Sequence, residues 1–115
     1  MASPTVRIVS AVAVTFDDAY RSVLDLGEPI LARLGWPGTV FAPTDYAGTE
    51  RPMSWPGIDH WAGGEFEREL VPMSWEELGG LAGRGWEIGS HTCSHPHLTA
   101  LDDAALEDEL RRSKA

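Results

Sequence analysis

Cysteine is nearly missing from this chain. Cys93 stands alone, so no intrachain disulfide can form and the redox compartment is not written in the sequence. Long apolar runs are missing too, and nothing approaches the roughly 18 apolar residues of a membrane helix. Ile8 to Val14, with Arg7 before it, superficially resembles the start of a secretory signal. It is only seven residues long and leads straight into Thr15-Phe16-Asp17-Asp18 without a cleavage-type segment, so a cytoplasmic protein is expected. Basic residues are scarce, nine against 18 acidic ones. The resulting formal charge of -9 argues against non-specific binding to nucleic acid or to an anionic membrane. Internal repeats are also lacking: Pro-Met-Ser-Trp occurs at 52–55 and again at 72–75, but nothing around it recurs.

What is present suits a single globular domain. The 115 residues, 43% hydrophobic, are enough to bury a core without disulfides or a structural metal. Val6 to Phe16 is almost continuous Val, Ile and Ala without two-residue alternation, the pattern of a strand buried on both faces in a parallel sheet. Arg21 to Leu34 carries helical spacing and stops at Gly35, with Pro29 predicting a late start, a restart or a kink. Thr39 to Ala42 is a second short β-prone run. Residues 44–71 are rich in Gly, Pro and Trp and predict a long excursion with little regular structure. Ser74 and Glu77 form a capping box ahead of a helix through Leu78 and Leu81. Trp86 to Gly89 reads as a third strand, and Asp102 and Asp103 open a last helix that ends in basic residues. Strands alternating with helices predict right-handed βαβ units.

Two clusters carry the chemistry, Asp17-Asp18 after the first strand and His91-x-x-x-His95 after the third. In a βα architecture the loops at the carboxyl ends of strands converge on one face, which brings them together. Two histidines and a carboxylate suit a divalent metal with open positions, Zn(II) in particular. Such a metal acidifies water, polarises a carbonyl and steadies the oxyanion formed on attack. The second aspartate is then free to act as general base, and spacing does not decide which aspartate has which role. Each cluster has a plainer reading. Asp-Asp after a strand also caps helices, and a lone His-x-x-x-His pair is common on surfaces. His97 reads as outer-sphere or solvated, His60 as structural and Cys93 as a spectator. Of the five tryptophans, Trp36, Trp75 and Trp86 flank regular elements and are expected in the core. Trp55 and Trp61, in the long excursion, are candidates for a substrate wall.

Val14-Thr15-Phe16-Asp17-Asp18-Ala19-Tyr20 resembles the first motif of the polysaccharide deacetylases, the NodB-homology group. Gly85 to Pro96, with Ser90-His91-Thr92-Cys93-Ser94-His95 at its centre, resembles their second. Gly38-Thr39-Val40-Phe41 and Trp75-Glu76-Glu77-Leu78 also fit, so the likeness runs over nearly the whole chain. It implies an α/β fold, an incomplete distorted (β/α) barrel of about three βα units over residues 1–115. The implied function is a metal-dependent hydrolase that removes N-acetyl groups from a polysaccharide or related acylated sugar, or cuts another non-peptide carbon-nitrogen bond. By that resemblance Asp17 is the catalytic base, while Asp18, His91 and His95 hold the metal. Position 19, usually Gly in the family, is Ala here, a change that should still allow the turn. The family's later arginine, groove segment and general-acid histidine find no counterpart, and a full barrel takes roughly 250 residues. The expectation is therefore an N-terminal portion with exposed apolar faces, prone to self-association or to pairing with a complementing C-terminal half. The competing reading is a non-catalytic metal- or carbohydrate-binding fragment. A third has the clusters as caps with no metal.

Overall fold

The computed structural model describes Thr5 and residues 10–115. Three parallel strands form its sheet in the order β1 (Thr15–Asp17), β2 (Thr39–Ala42), β3 (Glu87–Ser90). The register is regular, with Phe16 opposite Val40 and Val40 opposite Ile88. β2 is central and alternates half-buried with fully buried residues, and Val40 and Ala42 are sealed in the core.

The first strand is shorter than its sequence implies. Val6 to Val9 lie outside the described residues, and residues 10–14 form no strand. Strand pairing needs a neighbour, and β2 offers none upstream of Thr39, whose amide donates to the carbonyl of Val14 at 3.0 Å. Residues 10–14, with no ladder beside them, stay irregular, and Val12 is exposed.

After β1 the chain enters a π-helical turn, Val23–Gly27, which leads into α1 (Glu28–Leu34). Pro29 explains the wide turn, because it has no amide to close the ordinary ladder and sits in the first turn of α1, where none is needed. Gly35 ends α1 in the left-handed conformation at φ 71°. α2 (Trp75–Gly83) has both halves of its predicted capping box: Ser74 Oγ accepts from the Glu77 amide at 3.1 Å, and Glu77 Oε1 accepts from the Ser74 amide at 3.0 Å. α3 (Asp103–Lys114) is capped by Asp102, which accepts from the Ala105 amide at 2.8 Å.

The core joins Val23 and Leu31 from the first helical segment, Val40 from β2, and Met73, Leu78 and Leu81 around α2, with Trp86 closing one end. Trp86 stacks on Phe16 at 5.9 Å. Trp36 and Trp75, expected in the core, are both more than half exposed: each sits at a helix terminus, Trp36 just past α1 and Trp75 at the start of α2. The excursion at 44–71 holds two short 3-10 turns, Asp59–Trp61 and Glu67–Leu70. Met53, Trp55 and Leu70 pin it inward.

The sheet does not close among the described residues, since β1 and β3 each have one neighbour. Leu26, Ile30 and Leu34 form an exposed stripe at four-residue spacing on the first helical segment, and Leu110 is half exposed on α3. No helix among the described residues is long and apolar enough to cross a membrane.

Gly38 lies under Trp86, and a Cβ there would meet the indole at 2.6 Å. Gly38→Ala should therefore cost about 2 kcal/mol through overpacking. Urea unfolding followed by circular dichroism will show this as an earlier midpoint, and an unchanged midpoint would mean that the ring has room to shift.

Candidate metal centre

β2 places both halves of the site. At its carboxyl end the Asp18 amide donates to the Phe41 carbonyl at 2.9 Å, and the His91 amide donates to the Ala42 carbonyl at 2.9 Å. The segment after β2 continues the grip, with the Thr44 amide donating to Thr92 O and the Asp45 amide to Cys93 O. Asp18 and His91 thus leave the two strands that flank β2 at the same level. Backbones two strand spacings apart are separated by roughly 10 Å, a gap that inward-pointing side chains can bridge.

Asp18 Oδ1 lies 3.2 Å from His91 Nε2 and 3.3 Å from His95 Nε2. The three donor atoms lie within 4.8 Å of one another. Yet Asp18 Oδ1 is buried and accepts no hydrogen bond. Close approach without hydrogen-bond geometry is what ligands aimed at a shared point produce. With ligand bonds of about 2.0–2.1 Å at tetrahedral angles, neighbouring donor atoms stand about 3.3 Å apart, which matches both separations from Asp18. A buried carboxylate oxygen with no partner is costly, and a cation removes that cost. The residues present therefore fit a divalent metal of the Zn, Co, Ni or Fe kind.

The backbone around these three residues is unusual. Asp18 (φ 77°), Ala19 (φ 59°), Thr92 (φ 65°) and His95 (φ 59°) are left-handed, and Glu50 is the one other such non-glycine residue among those described. Each non-glycine residue held this way costs about 1–2 kcal/mol, less for aspartate. Hydrogen bonds hold the turns in place: the Met73 amide donates to Ala19 O at 2.9 Å, and the His95 amide donates to Thr92 Oγ1 at 3.2 Å.

Of the other candidates, Asp17 ends β1 with an exposed side chain, immediately before Asp18. Trp55 is buried, and its indole lies nearly parallel to the His95 ring with centroids 3.9 Å apart. Trp61 is exposed and meets Phe66 edge to face at 5.7 Å. His97 and His60 are exposed. Cys93 is fully buried, its Sγ donating to Glu109 O.

A family model described as polysaccharide deacetylase matches residues 7–115. The chain belongs to the polysaccharide deacetylase family. Two solved structures share its fold. A Streptococcus pyogenes deacetylase, PplD, in complex with acetate superposes with a TM-score of 0.69 at 18% identity over 96% of this chain and 41% of that one. The deacetylase domain of BpsB from Bordetella bronchiseptica gives 0.56 at 24% identity over 86% of this chain and 45% of that one. The chain thus spans less than half the length of either. No curated protein matches it.

Three supports of this deacetylase-family site escape motif spacing. Burial, and then the negative charge and hydrogen bonding of Asp18, push the Tyr20 phenol up to about 12. Trp55 backs His95. Glu109, on α3, accepts at Oε2 from the amides of Cys93 and Ser94 (2.8 and 3.0 Å) and at Oε1 from Ser94 Oγ (2.6 Å). Tyr20 was within reach of the sequence, two positions past Asp18. Trp55 and Glu109 carry no local signal, because their partners are distant in the chain.

Burial raises the Glu109 pKa, but the bonds from Ser94 and Cys93 and the nearby Arg112 outweigh it and hold the carboxyl below its ordinary value. A depressed carboxyl stabilises the fold above its unfolded pKa, and that contribution fades as pH falls through the folded one. Glu109→Gln should therefore destabilise the chain by about 1–2 kcal/mol at pH 7, since it loses charged hydrogen bonds at a partly solvated site. The gap to wild type should close on acidification into the carboxylate range. Urea midpoints across pH 3 to 7 test this, and a gap independent of pH would rule out a role for the Glu109 charge.

Proposed function

We propose that this chain forms the metal-holding part of a hydrolase that removes N-acetyl groups from a polysaccharide or related acylated sugar, with Zn(II) as its metal. The observation that carries the reading is the convergence of Asp18 Oδ1 on two imidazole nitrogens at 3.2 and 3.3 Å with no hydrogen bond to satisfy it. Family membership supports the reaction class.

In this reading Asp18, His91 and His95 hold the metal and Asp17 is the general base. Bound there, a divalent metal supplies Lewis acidity for attack on an acyl carbon. Asp17, exposed and adjacent in sequence to a ligand, takes the proton of the attacking water. With Asp18 Oδ1 converging on the same point as the two imidazole nitrogens, the neighbouring carboxylate is the one left for proton transfer. The departing amine also needs a proton, a step typically worth about 10²- to 10⁴-fold and assigned to none of these four residues. In this reading Trp61, which is exposed, and Trp55, beside His95, bound the space where a sugar would lie.

The finer architecture proposed is a distorted (β/α) barrel of which these strands are one arc. Edges of β1 and β3 that are open among the described residues, together with the exposed stripe of Leu26, Ile30 and Leu34, support it. The same surfaces support pairing with a complementing half or self-association. The second reading, a metal- or carbohydrate-binding module without turnover, draws on the exposed Trp61 and Phe66 pair.

Zn(II) titration by calorimetry should show one site that is lost in His91→Ala and in His95→Ala. Binding that survives both substitutions would sink the assignment of ligands. Asp17→Asn should keep the metal yet lower acetate release from chitooligosaccharides by about 10²- to 10⁴-fold. Metal binding with no acetate released by the unsubstituted protein would favour the binding module.

A further inference from the structure

The metal ligand that most needs support is His95. Its backbone is left-handed, at φ 59°, and its ring must present Nε2 toward Asp18. Imidazole rotation about its last side-chain bond is broad and roughly two-fold, so the backbone alone does not fix the plane of the ring. Trp55 supplies what is missing. Its indole lies 3.9 Å from the imidazole, centroid to centroid, with planes only 12° apart. A face-on contact of that kind resists tilting of the ring yet leaves both nitrogens, which lie in the ring plane, free to bind.

Trp55 is itself held. It is buried at 8% exposure and meets Tyr46 edge to face at 5.4 Å, 69° between planes. The Tyr46 hydroxyl donates to the carbonyl of Ser54 at 2.7 Å, which fixes the residue just before the indole. The Trp55 carbonyl accepts from the amides of Ile58 and Asp59, both at 3.1 Å, and the Met53 amide donates to Leu70 O at 2.8 Å. The excursion between β2 and α2 is therefore tied down on both sides of Trp55. A rigid line of contacts runs from Tyr46 through Trp55 to His95 and ends at the oxygen of Asp18.

We propose that Trp55 is a positioning residue for the metal centre: by stacking on His95 it presets the ring for coordination, and the long loop serves as the strap that holds it there. The inference rests on the metal reading above and assigns Trp55 a role toward the ligand, separate from any contact with substrate. Supports of this kind typically alter metal affinity by about 10- to 100-fold when removed.

The test compares Trp55→Leu, which keeps apolar bulk but no flat face, with Trp55→Phe, which keeps a ring. Ni(II) and Zn(II) affinities are measured by calorimetry on chains shown to be folded by circular dichroism. Metal-free His95 ring protons are followed by NMR for the upfield shift that an indole face imposes. Trp55→Leu should lose the shift and bind metal about 10- to 100-fold more weakly. Trp55→Phe should retain part of the shift and bind within a few-fold of wild type. Wild-type affinity in a folded Trp55→Leu chain overturns the proposal and leaves the metal reading intact. A wild-type chain that shows the NMR shift but binds no metal overturns both. Should Trp55→Leu fail to fold, Tyr46→Phe, which removes only the hydroxyl bond to Ser54, should weaken binding measurably, and unchanged affinity there also counts against the strap.

Discussion

The last two rungs of the ladder on β2 are the constraint on which the site depends. Phe41 O holds the amide of Asp18, and Ala42 O holds the amide of His91, both at 2.9 Å. Through these bonds a short central strand fixes where two distant parts of the chain end. A one-residue slip in either pairing would send Asp18 or His91 to the opposite face of the sheet, because side chains alternate with a period of two. The chemistry thus rests on register, and register rests on burial: Val40 and Ala42 face the core and leave β2 no other comfortable setting.

Beyond those rungs the backbone turns abruptly, and left-handed non-glycine residues gather there. Their cost is local, but what sustains them is not. Ala19 is held by an amide from Met73, whose side chain is in the core, and α3 braces the His91–His95 turn through Glu109 and through Ser113, whose hydroxyl accepts from Ser90 Oγ at 2.6 Å. Strain of this sort persists only where surrounding structure over-determines it. Ala19 illustrates the point: the turn forms with a β-carbon present, at φ 59° and fully buried, because its carbonyl and its neighbours are already committed.

Elements whose causes are local were legible in the sequence. The capping box at Ser74 and Glu77, the Asp102 cap and the β2 boundaries at Thr39 and Ala42 all follow from near neighbours, and all are present in the structure. The two clusters and their meeting could also be inferred, since parallel βα topology brings strand ends to one edge. Where partners are distant, the sequence carries no local signal. Nothing in residues 10–14 themselves shows that β2 starts too late to pair with them. Aromatic residues beside helices suggested burial, yet Trp36 and Trp75 are exposed while Trp55, within the loop, is buried. Glu109 has no signal of its own in the sequence, because its three donors lie in the loop that α3 packs against.

Glu109 and Asp18 make the sharpest internal comparison. Both are half-buried carboxylates that touch the histidine turn, and in a chain of net charge -9 neither can rely on a surplus of cations. Glu109 accepts three hydrogen bonds and is held below its ordinary pKa, so its charge is fully employed in bracing the turn. Asp18 has two imidazole nitrogens within 3.3 Å and a buried oxygen that accepts nothing. Proximity to the cluster does not separate a structural carboxylate from a ligand, and neither does burial. The difference lies in satisfaction: the brace has its three donors, whereas the buried oxygen of Asp18 has none, and that is what supports its proposed role as a ligand.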